Sequence, residues 1–210
     1  MACIHKFYIN EDLDKLLPKW TCKTLIIGTF NPHNDFHPKN ESNFFYQRSK
    51  NYFWDVLPLL SNEKSIDKSD YSIQIEHLKK YKIGITDLLL SIDEADKNCR
   101  IHKELISSVK DEDIERFKDF TWNTDFIIDF IKTSNIEAVF FTKLGNPNKK
   151  KIKFDTFEKQ MRIIEEFCIS NNVFTKRLHS PTGMGLGKGS RIETLLNSWL
   201  NINGADQKYF

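Results

Sequence analysis

The residues best suited to chemistry fall in three stretches, each directly after an apolar run. The first holds Gly28-Thr29-Phe30-Asn31-Pro32, then Phe44-Phe45-Tyr46-Gln47-Arg48 and Asn51-Tyr52-Phe53-Trp54. Side-chain amides such as Asn31 and Asn51 can orient a water molecule, although they cannot take its proton at neutral pH. Three consecutive aromatics cannot all face inward from an extended segment. At least one of Phe44, Phe45 and Tyr46 is therefore expected at a cleft, where its ring could stack on a planar ligand. Phe53 and Trp54 read instead as core residues opening an amphipathic helix.

The second stretch is built around Asp87, a carboxylate set among Ile83, Ile85, Leu88, Leu89 and Leu90. Such a group is costly to bury unless it is paired. It either caps the turn that follows or reads the polar edge of a ligand. The third stretch runs from His179-Ser180-Pro181-Thr182 through Gly183-Met184-Gly185-Leu186-Gly187-Lys188-Gly189 to Ser190-Arg191. Four of the chain's 8 glycines lie in it. Glycine lets main-chain N–H groups approach a phosphate, and this loop delivers into a helix N-terminus, a ready anion site. Lys188, Ser190 and Arg191 add donors. Met184 and Leu186 are apolar residues on a polar loop, which suits a wedge entering a base stack. A nucleotide-binding P-loop is not matched, because Gly189 stands where Ser or Thr must follow the lysine. A bare surface loop is the plain alternative.

These stretches need a scaffold. Thr24–Gly28 is a continuous apolar run ending in glycine, as expected of a buried parallel strand. Further strands are expected at 83–89, 137–142 and, more weakly, 173–178. Helices are expected at 51–60, 71–80, 111–134 with a break near Thr121, 154–171 and 190–201. The last has Ile192, Leu195, Leu196 and Trp199 on one face, with Ser190 and Glu193 spaced as a capping box. Alternating strands and helices predict an α/β three-layer sandwich, with a central, mostly parallel four-stranded sheet flanked by helices. Ligands of such sheets bind beyond the carboxyl ends of the strands, where the three stretches lie.

The bulk properties fit one domain spanning residues 1–210. Hydrophobic residues make up 40% of the chain and aromatics 13%, enough for a true core. The 31 Lys and Arg nearly balance the 29 Asp and Glu, for a net charge of +2. That excludes a uniformly basic nucleic-acid coat, so any contact with DNA must use a local basic patch such as Lys149-Lys150-Lys151 and Lys153. Cysteines at 3, 22, 99 and 168 have no metal-ligand spacing, so reduced thiols, no metal and no iron–sulfur cluster are expected. Met1 through Lys6 carries no apolar leader, and no stretch approaches ~18 apolar residues. A cytoplasmic protein with no membrane span is the expectation.

Taken in order, these segments resemble the uracil-DNA glycosylase superfamily, most of all the branch of mismatch-specific uracil/thymine and hypoxanthine-DNA glycosylases. Gly28-Thr29-Phe30-Asn31-Pro32 is similar to that branch's Gly-x-Asn-Pro or Gly-Ser-Phe-Pro turn. Tyr46, followed by Asn51-Tyr52-Phe53-Trp54, resembles its aromatic, spacer and Asn-x-Phe-Trp helix start. Ile83-Gly84-Ile85-Thr86-Asp87 resembles its second strand, and Leu178-His179-Ser180-Pro181 its final loop. The likeness covers about residues 23–60, 82–92 and 136–200.

The resemblance implies a monofunctional base-excision enzyme that hydrolyses the N-glycosidic bond of uracil or hypoxanthine flipped out of DNA. It implies no cofactor and a monomer with damaged or mismatched DNA as its partner. In that frame Asn51, or else Asn31, positions water, and His179 donates to the departing base. Tyr46, or else Phe45, stacks on the base, while Thr29, Phe30 and Asp87 read its edge. Ser180, Gly183, Met184, Gly185, Leu186, Lys188 and Ser190 would hold the DNA. Two other readings stay open. One is a binding module of the same fold without catalysis; the other is a small nucleoside or nucleotide hydrolase.

Overall fold

The computed structural model describes residues 2–39, 41–145, 156–182, 186, 190–200 and 205–210. Its centre is a four-stranded, all-parallel sheet of β4 (Thr24–Gly28), β5 (Ile83–Asp87), β8 (Ala138–Phe141) and β9 (Phe174–Arg177), in the spatial order β5-β4-β8-β9. Every residue of β4, β5 and β8 is buried, so a parallel strand covered on both faces reads as an unbroken apolar run.

Successive side chains of a strand point to opposite faces, and here they feed two separate cores. Leu25, Ile27, Val139 and Phe141 pack with α5 (Thr124–Thr133) and α6 (Phe157–Ser170), through Ile127, Ile131, Phe157, Met161 and Ile164. Ile26, Ile85, Ala138 and Phe140 pack on the other side with α1 (Phe53–Leu60), α2 (Tyr71–Tyr81) and α7 (Arg191–Leu200). Trp54, Leu57, Leu78, Leu195 and Trp199 fill that layer. The chain is thus an α/β three-layer sandwich.

The helix ends follow local chemistry. Asp70 accepts from the Ile73 N–H at 3.1 Å to cap α2, and Thr156 accepts from Lys159 N–H at 3.3 Å to cap α6. Ser190 accepts from Glu193 N–H at 3.4 Å, so the expected cap of α7 is present.

The expected strand at 83–89 is two strands. The parallel one stops at Asp87, and the chain passes through Leu88 into β6 (Leu89–Ile92), the centre of a small antiparallel sheet with β1 (Cys3–Ile4) and β7 (Phe120–Trp122). A separate short hairpin pairs β2 (Leu13–Asp14) with β3 (Leu17–Pro18). The expected helix at 111–134 is divided more deeply than a break: α4 (Asp111–Ile114), then β7, then α5. Helix α3 (Arg100–Ser107) had no forecast; Ile106 is its buried residue. No described helix is long and apolar enough to cross a membrane. The four cysteines are free, and burial pushes the thiols of Cys3, Cys22 and Cys168 up to about 12.

Candidate active site

Beyond the carboxyl ends of β4, β5 and β8, three residues of different strands meet. Gly28 ends β4, Asp87 ends β5 beside it, and Thr142 follows β8 on the other side. The chain leaves β4 for β5 on one side and returns across it to β8 on the other. Ligands of parallel sheets are expected where connections diverge in this way.

Gly28 is required by close approach. A Cβ there would lie 2.2 Å from Asp87 Oδ1 and 2.6 Å from the Tyr46 hydroxyl. The missing side chain lets the carboxylate lie back over the main chain. Asp87 is 1% exposed, and its other oxygen is held twice. His5 Nε2 and Asn31 Nδ2 each approach Oδ2 at 2.8 Å. The His5 tautomer follows from its second nitrogen: Nδ1 accepts the Phe7 N–H at 3.1 Å and so carries no proton. The ring proton is on Nε2, donating to Asp87. A carboxylate accepts only, so the amide nitrogen of Asn31 must face it, and Asn31 Oδ1 is turned the other way.

This arrangement is braced from several directions. The His5 main chain bonds Leu90 O at 2.7 Å and bridges to Pro32, tying the N-terminal segment to both loops. Phe7, Phe30 and Phe45 surround its ring with centroids 5.5, 5.7 and 5.8 Å away. Behind Asp87, buried Asn123 donates to Thr86 Oγ1 at 3.0 Å and to the Asp87 carbonyl at 3.1 Å.

Tyr46 reaches the same end of the sheet. Its ring lies parallel to Phe53, 4.1 Å between centroids, and its hydroxyl bonds Thr142 Oγ1 at 3.1 Å. Burial, and then the nearby charge of Asp87, hold its phenol far above the ordinary tyrosine range. It is therefore a neutral hydrogen-bonding group. Arg48 is close enough to Asp87 for their charges to attract, while burial draws its guanidinium below its usual value.

The sequence-derived candidates divide accordingly. Asn31, Asp87 and Tyr46 are brought together, with Phe30 against His5 and the Thr29 carbonyl accepting Leu89 N–H at 3.1 Å. Asn51 makes a local bond: its Oδ1 accepts the Phe53 N–H at 3.0 Å at the start of α1. An Asn just before a helix start bonds its own main chain readily, and this bond uses one of the two acceptor positions of the oxygen. Phe45 is fully buried against Phe7 and Phe44, with no exposed face for a base. Two adjacent aromatics turn inward because the backbone is a turn, with Tyr46 at φ 61°.

His179 is half-buried, and its carbonyl accepts from Trp199 Nε1 at 3.0 Å. Ser180 bonds Thr182 Oγ1 at 3.0 Å, and the carbonyl of Pro181 accepts Tyr52 N–H at 2.8 Å, which docks this loop on the start of α1. Leu186 packs partly buried against the α1–α7 core, a poor stance for a wedge. Gly183, Met184, Gly185, Gly187, Lys188 and Gly189 lie outside the described residues, as do the lysines at 149–151 and 153.

Three participants had not been singled out: His5, Thr142 and Asn123. His5 lies 82 residues from its partner, and no spacing rule connects them. A polar residue ending an apolar strand was the available signal for Thr142. Among the described residues no group of three or more His, Cys, Asp or Glu could hold a metal ion. No protein-family model matches the chain, and no curated protein matches it.

Proposed function

We propose that the protein is a monofunctional DNA glycosylase, acting as a cytoplasmic monomer to hydrolyse the N-glycosidic bond of uracil or hypoxanthine flipped out of DNA. The observation that carries this reading is the Asn31–Asp87–His5 arrangement. It sets an amide and a carboxylate side by side at the carboxyl ends of the central strands, which supports a site that could aim a water and oppose positive charge.

The chemistry asks for both. As the base leaves with the electron pair of its bond to the sugar, positive charge grows on the sugar carbon. Asp87 supplies the opposing charge in a site from which water is largely excluded, where such a charge acts strongly. Asn31 Oδ1, set by the donation of its amide to Asp87, accepts a hydrogen bond from the attacking water and aims it. The water oxygen bonds the sugar carbon, and the surplus proton ends on the departed base. An amide takes no proton, so the enzyme relies on a base that leaves well as an anion. Tyr46 offers the extruded ring an aromatic surface, and main-chain groups at Thr29 and Phe30 read its edge. Extrusion costs a few kcal/mol and is easiest for a mispaired base.

The resemblance in motif order supports the same reading; a fold alone would not. The test compares Asn31→Ala, Asp87→Asn and Asn51→Ala on uracil- and hypoxanthine-containing oligonucleotides. The first two are expected to lose cleavage and the third to keep it. Cleavage retained by both Asn31→Ala and Asp87→Asn would sink the assignment.

A further inference from the structure

Beside this site, three basic side chains from separate loops lie close enough for their charges to interact. The Lys6 N–H bonds Asn31 O at 2.8 Å, which sets this lysine next to the proposed water-positioning amide. His37 closes a turn that begins at His33, whose own N–H bonds Ile4 O at 3.2 Å. Arg48 follows Tyr46 by two residues in a turn closed by Asn51 N–H on its carbonyl at 2.9 Å, and its charge is felt by Lys6, His37 and Asp87.

The guanidinium Nε and Nη2 of Arg48 are buried with no hydrogen-bond partner, and so is His37 Nδ1. Buried donors are nearly always paired, and a charged one left alone is among the costlier exceptions. The cluster is also repulsive. Burial and then the charge of Arg48 lower the basicity of Lys6 and of His37, and Lys6 adds to the effect on His37. Asp87 is the acid that faces Arg48, and its Oδ2 is already shared by His5 and Asn31. Arg48 and His37 thus keep unused polar atoms beside a site proposed to take a nucleotide.

We propose that Arg48, with Lys6 and His37, binds the phosphate of the nucleotide whose base enters the crevice over Gly28. This rests on the glycosylase reading for the identity of the nucleotide, though not for the phosphate. A guanidinium presents a planar fork that matches two phosphate oxygens at once, which an ammonium cannot do. Binding includes a swing of the Arg48 side chain, since its donors are enclosed in the ligand-free protein. The phosphate would hold the sugar against Asn31 and Asp87 from outside the reacting bond. The same chemistry could be met by a strand's diester or by a free nucleotide's monoester.

The experiment measures the affinities of inorganic phosphate, deoxyuridine, deoxyuridine 5′-monophosphate and a uracil-containing single strand. Wild type is compared with Arg48→Met, Arg48→Lys and the distant control Lys103→Met, each checked for a native melting transition. Arg48→Met is expected to weaken phosphate-bearing ligands about ten- to a hundred-fold and to leave deoxyuridine unchanged, with Arg48→Lys in between. Inorganic phosphate is expected to shift the His37 ring resonances in NMR spectra of wild type and not of Arg48→Met. Loss confined to the strand assigns the site to the DNA backbone, and loss for the monophosphate assigns it to a free nucleotide; both support a phosphate site. Unchanged affinity of every phosphate-bearing ligand in a folded Arg48→Met protein overturns it. Weakened phosphate binding without any base release would remove the glycosylase reading alone, whereas base release with unchanged phosphate affinity would remove the phosphate site alone.

Discussion

Replacing Asp87 by Asn separates charge from shape. The Asn carbonyl can take the place of Oδ2 and accept from both His5 and Asn31, which now approach at 2.8 Å each. Its amide then lies where Oδ1 was, over Gly28. Two charge-assisted hydrogen bonds become neutral, at a cost of about 1 kcal/mol each. No longer burying a charge offsets part of this. In a chain of this size, 1 kcal/mol moves the melting temperature by roughly 2–4 °C, so a fall of only a few degrees is expected. Catalysis should respond far more. A unit charge about 5 Å from the sugar carbon, at an effective dielectric near 20, contributes roughly 3 kcal/mol to the transition state. At 1.36 kcal/mol per factor of ten, that is roughly a hundred- to thousand-fold in rate. Single-turnover base release from a labelled oligonucleotide, read beside a thermal melt, measures both. A folded Asp87→Asn protein within a few-fold of wild type would refute the electrostatic role, and a collapse of the melting temperature would make Asp87 a structural residue.

Three further predictions probe the surroundings. Gly28→Ala places a methyl 2.2 Å from Asp87 Oδ1, so the carboxylate must rotate off its donors; a loss of about 1–3 kcal/mol in urea unfolding is expected, with cleavage falling alongside. Asn51→Ala removes the Phe53 cap and should cost about 1 kcal/mol while leaving the rate of base release unchanged. Glu63 bonds Lys80, Tyr81 and His77, with Lys80 the largest influence, and its carboxyl is lowered from 4.5 to about 2. Its contribution is complete above pH 4.5 and is lost as pH falls toward 2. Glu63→Gln should therefore flatten the stability profile between those limits, and an unchanged slope would discount the cluster.

The central sheet was legible because β4, β5 and β8 are buried on both faces and must be apolar throughout. Asp87 stood out for the complementary reason, as a carboxylate that such a strand could not carry without partners. Those partners were harder to see. His5 reaches Asp87 through a bridge to Pro32 and a bond to Leu90, contacts that exist only after the small antiparallel sheet has formed. Local geometry decides the surroundings of Phe45 and Asn51. The positive φ of Tyr46 turns the aromatic run inward, and the short reach from Asn51 to Phe53 wins over a distant ligand. Helix α3 gave little signal because most of its residues are solvent-facing.

The site also explains a division of labour among its polar groups. Asn123 and Thr142 hold the ends of β5 and β8, His5 holds the carboxylate, and Asn31 donates to it through its amide nitrogen. In the proposed reaction only Asn31 touches the water. The others fix its direction, and a shift of even 1 Å in such support can cost on the order of a hundred-fold in rate.

The most direct test of the central claim is a cleavage assay on end-labelled oligonucleotides carrying uracil or hypoxanthine, single-stranded and duplex, with alkali to reveal abasic sites. The account predicts an alkali-dependent product at the modified position, absent with Asn31→Ala and present with Asn51→Ala. No product from any of these substrates, with folded protein in excess over DNA, would contradict it.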